Sequence, residues 1–208
     1  MARTRTPERI LDATLALFNA AGEPNVTTNR IADELDISPG NLHYHFRTRQ
    51  DLVDALFGRF EQRMLELLSS ADPHEPDVED AWLFLHLVFE TIAEYRFLYR
   101  DLNDLVTRYD GLERRFRAIL KFSMQTADRL LAGLERAGQL DCGSDEREAL
   151  VRNLVLVASY WIAFDQVLDP DAEPRPDRAA WQVMSLVSPY LEGEARETFG
   201  MLAEAYLG

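Results

Sequence analysis

Apolar residues recur every three or four positions along almost the whole chain, a period that predicts helices and leaves no convincing strand. Ile10, Leu11, Thr14, Leu17, Phe18 and Ala21 form one mostly apolar stripe, with Thr6 expected as the cap, Pro7 at the first helical position and Gly22 as the stop. A short second helix starts at Thr27 or Thr28 and turns Ile31, Ala32 and Leu35 inward. Ser38 and Pro39 open a third, with Leu42 and Phe46 as its apolar residues. Thr48, with Asp51 three residues on, makes a capping box for a fourth, whose inner face carries Leu52, Leu56, Phe60 and Leu67. The run Ala71-Asp72-Pro73-His74-Glu75-Pro76 is a break. Beyond it helices are expected near 77–99, 112–137, 145–168, 178–191 and 194–207. The expected fold is all-α: a three-helix head at 1–50, a connecting helix over about 48–70, and a helical bundle in a body at 51–208.

Composition narrows the reading. Hydrophobic residues at 47% and charged residues at 28% argue against disorder and for a sizeable core. No apolar stretch reaches the ~20 residues that span a bilayer. The opening Met-Ala-Arg-Thr-Arg-Thr lacks the apolar centre of a secretory signal, so a cytoplasmic protein is expected. The single cysteine, Cys142, excludes an intrachain disulfide and a multi-cysteine metal site, and no cofactor is expected. The net charge of −14 runs against a phosphate-rich partner, yet its distribution changes the picture. Residues 1–50 hold six arginines (Arg3, Arg5, Arg9, Arg30, Arg47, Arg49) and six acids (Glu8, Asp12, Glu23, Asp33, Glu34, Asp36), so the whole negative charge lies in the body. An acidic body repels a polyanion and turns the neutral head toward it.

Residues 28–46 carry the strongest signal. Two short helices joined by a tight turn need a small residue at their contact, which Ala32 supplies. The turn needs a left-handed residue, and Asp36 is a tolerable substitute for glycine there. Ile37 plugs the corner, while Leu42 and Phe46 pack the third helix inward. What remains outward is Ser38, Asn41, His43, Tyr44 and His45, groups suited to phosphate and base-edge contacts. Each also has a plainer reading: Ser38 as a cap, Tyr44 as an exposed aromatic, Arg47 and Arg49 as solvated charges. His43 and His45, two residues apart, point to different helix faces and do not form a metal pair.

Ile31-Ala32, Ile37-Ser38, Gly40, Leu42, Tyr44, Phe46, Arg49 and Leu52 together resemble the N-terminal module of the TetR family of transcriptional regulators, over roughly residues 5–65. The sequence departs from the family pattern at Asp36 for a turn glycine, His43 for a common tyrosine, and Arg49 for a common lysine. The resemblance implies a dimeric helix-turn-helix regulator that binds double-stranded operator DNA. Its contacts would come from Thr28, Ser38, Asn41, His43, Tyr44, His45, Arg47 and Arg49.

The resemblance also implies a small, largely apolar effector inside the body and, as the family's common mode, repression relieved by that effector. Trp82, His86, Phe89, Asn103, Phe122, Gln125, Tyr160 and Phe164 are the expected ligand contacts, combining aromatics with embedded polar groups. Aromatics at helical spacing also read as ordinary core. Residues 154–164 are apolar nearly all round, so this helix should touch a second layer, the same helix of a partner subunit. Val157 and Trp161 are expected on its partner-facing side, with Trp181, Met184, Val187 and Tyr190 as a matching stripe. An enzyme is the alternative from another class, but no nucleophile elbow, phosphate loop or metal-ligand motif is present in the sequence. The other alternative is an interaction protein whose head has lost DNA binding.

Overall fold

The computed structural model describes residues 6–71, 77–170 and 172–207. Among them are eleven α-helices: α1 (Thr6–Ala21), α2 (Thr28–Glu34), α3 (Pro39–His45), α4 (Arg49–Ser70), α5 (Val78–Glu94), α6 (Arg96–Arg100), α7 (Leu102–Arg108), α8 (Leu112–Arg136), α9 (Ser144–Leu168), α10 (Pro176–Val187) and α11 (Gly193–Leu207). Among the described residues the one bridge of extended backbone is Leu140 to Leu191, which ties the turn after α8 to the end of α10.

The helix starts follow local chemistry. Thr27 caps α2 by accepting from the Arg30 N–H, and Ser38 caps α3 by accepting from the Asn41 N–H, each at 3.2 Å. Thr48 and Asp51 exchange both capping-box bonds at the start of α4. Thr6 is already helical, so the cap of α1 lies outside the described residues, as do Arg3, Arg5 and residues 72–76 of the predicted break.

Two elements differ from the expectation. The helix expected over 77–99 ends at Glu94, where Tyr95 leaves helical geometry, and resumes as the five-residue α6. Residues 102–108, between the helices expected near 77–99 and 112–137, form α7. Both short helices lie against other elements, α6 on α9 and α1, α7 on α8, so tertiary contact sets their limits where local pattern does not.

The apolar faces meet in one continuous core. In the head α1 packs on α2 and α4, and α2 on α3. Helix α4 runs from the head into the body, where it meets α5 and α8; α9 and α10 complete the bundle, and α11 covers α5 and α10.

The outward side of α9 corrects the expected partner face. Trp161 is buried and Val157 half-buried, whereas Leu156, Tyr160, Phe164 and Val167 stand out at i, i+4, i+8 and i+11. The stripe expected on α10 is turned inward as well, since Met184 and Val187 are buried. Helix α10 packs on both α5 and α9, which fixes its apolar side within the bundle.

Candidate nucleic-acid interface and body cavity

Helix α2 ends in two reverse-turn bonds, Ile37 N–H to Ala32 C=O and Asp36 N–H to Asp33 C=O, which close the turn into α3. Asp36 takes the left-handed conformation, with φ 52°. Ala32 and Leu42 are buried at the contact, and this fixes which face of α3 is outward. That face carries Ser38, Asn41, His43 and Tyr44, all exposed, with His45 half-exposed beside them. Thr28 and Arg30 on α2 and Arg47 after α3 are exposed too, and Arg30 and Arg47 make no ion pair with the described residues. Tyr44 is 82% exposed, its ring meeting that of His45 edge-on at 5.1 Å between centroids. An aromatic ring so open to water contributes little to the fold.

Gly40, in the first turn of α3, has no such excuse in packing. A methyl group there would meet nothing nearer than Ser38 Oγ at 3.9 Å, and its φ is not one that favours glycine. Glycine in a helix costs up to ~1 kcal/mol against alanine. What it offers is a bare backbone that another molecule can approach closely.

Arg49 departs from the expected phosphate contact. Its Nε lies 3.0 Å from Glu23 Oε1, and its guanidinium donates to the Glu23 carbonyl at 2.9 Å. Glu23, fully buried in the turn after α1, also accepts from Arg108 at 2.6 Å and from the Tyr109 hydroxyl. Burial first, then the bond to Glu23, pushes the Tyr109 phenol well above its ordinary range, so it remains a proton donor. Glu23 thus joins the head, through Arg49, to the end of α7 in the body. A second link lies beside it. Arg100 of α6 donates to the Phe18 and Asn19 carbonyls at the end of α1, at 2.9 and 3.3 Å. Gly22, with φ 86°, leaves room for that guanidinium, which would lie 3.0 Å from a side chain there. Asn19 completes the joint by donating to the Glu94 carbonyl and accepting from the Phe97 N–H.

Between its helices the body leaves a partly open cavity of about 100 Å³. Met64 and Leu68 of α4 and Leu85, Val88 and Ile92 of α5 form two walls. Ile119, Leu131 and Leu134 of α8, Leu154 of α9 and Met184 of α10 close the others. None of the eight expected ligand contacts lines it. Trp82 and Phe89 are buried elsewhere in the core, Trp82 against Phe199. His86 sits 3.4 Å from Glu90, one turn along α5. Phe122 is half-buried under Arg129, and Gln125 is exposed on the outside of α8. Tyr160 and Phe164 belong to the exposed stripe of α9, where the Tyr160 hydroxyl reaches Asn103 at 3.3 Å. The cavity is lined mainly by aliphatic residues instead, with Phe84 and Tyr99 as its aromatics.

Residues 10–56 match the family model described as bacterial regulatory proteins, tetR family, and residues 59–199 match that described as TetR, bacterial transcriptional repressor. The crystal structure of a TetR-family transcriptional regulator from Marinobacter aquaeolei VT8 superposes with a TM-score of 0.88 and is 34% identical, covering 98% of this chain and 99% of that one. The SmeT–triclosan complex has the same fold at a TM-score of 0.60 and 20% identity, over 91% of this chain and 93% of that one. An HTH-type transcriptional regulator in the dhlA 5′ region of Xanthobacter autotrophicus is 33% identical over 73 residues, 35% of this chain and 36% of its own length. Matches to curated relatives span between 23% and 51% of those proteins' lengths.

Proposed function

This chain belongs to the TetR family of bacterial transcriptional regulators, and on that premise we propose that it is a homodimeric repressor released from operator DNA by a small apolar effector. The head at 1–50 binds DNA, the body at 51–208 binds effector and partner, and α4 joins them. Thr28, Ser38, Asn41, His43, Tyr44, His45 and Arg47 face the DNA, while Arg49 braces the head through Glu23. The exposed stripe of α9 packs on its copy in the second subunit. Its family is one of regulators rather than enzymes, and no helix among the described residues is long and apolar enough to cross a membrane. The regulator works in the cytoplasm, where its DNA lies.

One observation carries the effector response: adjacent residues of α6 serve the two sites. Tyr99 lines the cavity and Arg100 holds the end of α1. A molecule that moves α6, or α4 through Met64 and Leu68, shifts the head it is bonded to. It changes DNA affinity only as far as it prefers one arrangement of the two heads. SmeT holds triclosan, which makes triclosan a reasonable first probe. Fluorescence anisotropy on duplexes from the chain's own upstream region tests the reading. Salt-sensitive, sequence-preferring binding that an effector weakens supports it. Equal affinity for random duplexes, or none, removes it.

A further inference from the structure

We propose that the effector is an uncharged, elongated molecule: an aliphatic chain ending in one hydroxyl or carbonyl group. The proposal rests on the reading of the body cavity as the effector site and names the chemistry that the site selects.

The cavity is long rather than broad. Its lining positions on α8 run from Ile119 to Leu134, a helical rise of roughly 22 Å, and those on α5 from Ala81 to Ile92, roughly 16 Å. A volume of about 100 Å³ along that length is a seam rather than a chamber: a flexible chain enters by displacing each side chain a little along its path, whereas a rigid fused ring system needs the walls to part widely at one place. The channel is kept open by small residues on three helices, Ala81, Ala127 and Ala158, each among bulky neighbours. Larger aliphatic side chains there would fill it and remove the cost of an empty cavity. Met64 and Met184, on opposite sides of the bundle, supply side chains that adapt to a flexible guest.

The lining also fixes the charge of the guest. It contains no Asp, Glu, Lys, Arg or His. A carboxylate or ammonium placed inside would lose its hydration with nothing to replace it. The polar groups are three hydroxyls: Tyr99, Ser123 and Ser159. The Ser159 hydroxyl donates to the Val155 carbonyl at 2.7 Å and retains acceptor capacity. Those of Tyr99 and Ser123 have no hydrogen-bond partner among the described residues, and burial keeps the Tyr99 phenol protonated. Tyr99 packs on Phe116, one turn before Leu120, and Ser123 follows on the next turn of α8. The polar handles therefore gather toward one end of the channel, leaving the stretch toward Leu134 wholly apolar.

The test is calorimetric titration of the protein with a series of primary alcohols from hexanol to hexadecanol, with dodecanoate at pH 8 and with phenanthrene. Affinity should rise about fourfold per methylene, the burial of one CH₂ group, until the channel is full, and then fall. Dodecanoate should bind at least ~100-fold more weakly than dodecanol, and phenanthrene should not compete. Ala127→Leu should raise Tm and abolish alcohol binding, and Ala158→Leu serves equally if the first variant fails to fold. Equal affinity for dodecanoate, displacement by phenanthrene, absence of a chain-length optimum, or full binding to either leucine variant would each overturn the proposal. The broader reading fails separately. Alcohols that bind with this profile yet leave DNA affinity unchanged uphold the ligand class and remove effector release. Release by triclosan without any alcohol binding does the reverse.

Discussion

Glu23 is the residue whose loss should be felt in both domains. Glu23→Gln keeps the shape of the side chain and removes its charge, leaving the guanidinium groups of Arg49 and Arg108 facing a neutral amide. Breaking a buried ion pair costs ~3–5 kcal/mol when the orphaned partner is fully enclosed. Here the two arginines are 33% and 36% exposed and can recover part of their hydration. Arg108 also keeps its pairing with Asp104. The expected loss is therefore about 3 kcal/mol, a large share of the roughly 5–15 kcal/mol that holds a domain together. Urea unfolding at fixed protein concentration measures it. A cycle with Arg108→Gln should show a coupling of about 1 kcal/mol between the two positions. Because Glu23 links Arg49 in the head to Arg108 and Tyr109 in the body, the variant should also lose effector response at temperatures where it remains folded. A stability within about 0.5 kcal/mol of the parent, or strict additivity with Arg108→Gln, would refute the reasoning.

Other outcomes follow from the same contacts. Gly40→Ala should raise Tm, because the added methyl is unopposed within the chain and favours helix. Its DNA affinity should nonetheless fall several-fold, and unchanged affinity in anisotropy would remove the close-approach explanation. Phe164→Glu places a charge in the exposed stripe of α9 and should shift sedimentation from dimer to monomer, whereas the buried Trp161 would report on folding instead. The Thr48 N–H and hydroxyl hold the Asp51 carboxyl below the ordinary aspartate range. A lowered folded-state pKa adds stability above the unfolded value that disappears as pH falls through the folded one. The stability difference between the parent and Asp51→Asn should therefore be full at neutral pH and shrink below about pH 4, and a flat difference across that range would contradict the capping role.

The head was legible because its determinants are local. Thr27, Ser38 and Thr48 cap the helices they precede, and Asp36 takes the left-handed turn, all within a few residues of what they control. The site in the body was not legible in that way. Aromatic side chains draw the eye toward a pocket, but in a bundle they fill space, and the vacancy lies where Ala81, Ala127 and Ala158 withdraw from it. The one available signal was small residues within otherwise bulky helical stripes. Residues 154–164 suggest a second layer, but being apolar on every side they do not show which side would face it; the packing of α6, α8 and α10 on α9 leaves Leu156, Tyr160 and Phe164 outward. Glu23 offered no signal at all, since its partners lie 26, 85 and 86 residues away.

Selection of binding sites from random duplexes tests the central claim most directly, that α3 reads DNA sequence. The parent protein should enrich one motif with two related half-sites about one helical turn, ~34–36 Å, apart or a multiple of it. Asn41→Ala and His43→Ala should enrich altered motifs, because these side chains are placed to meet base edges. Tyr44→Ala and Arg47→Ala should return the parental motif at reduced affinity, and Arg47→Ala should lower the salt dependence by about one counterion per half-site. A parent that enriches no motif, or Asn41 and His43 variants that both return the parental one, would contradict the account.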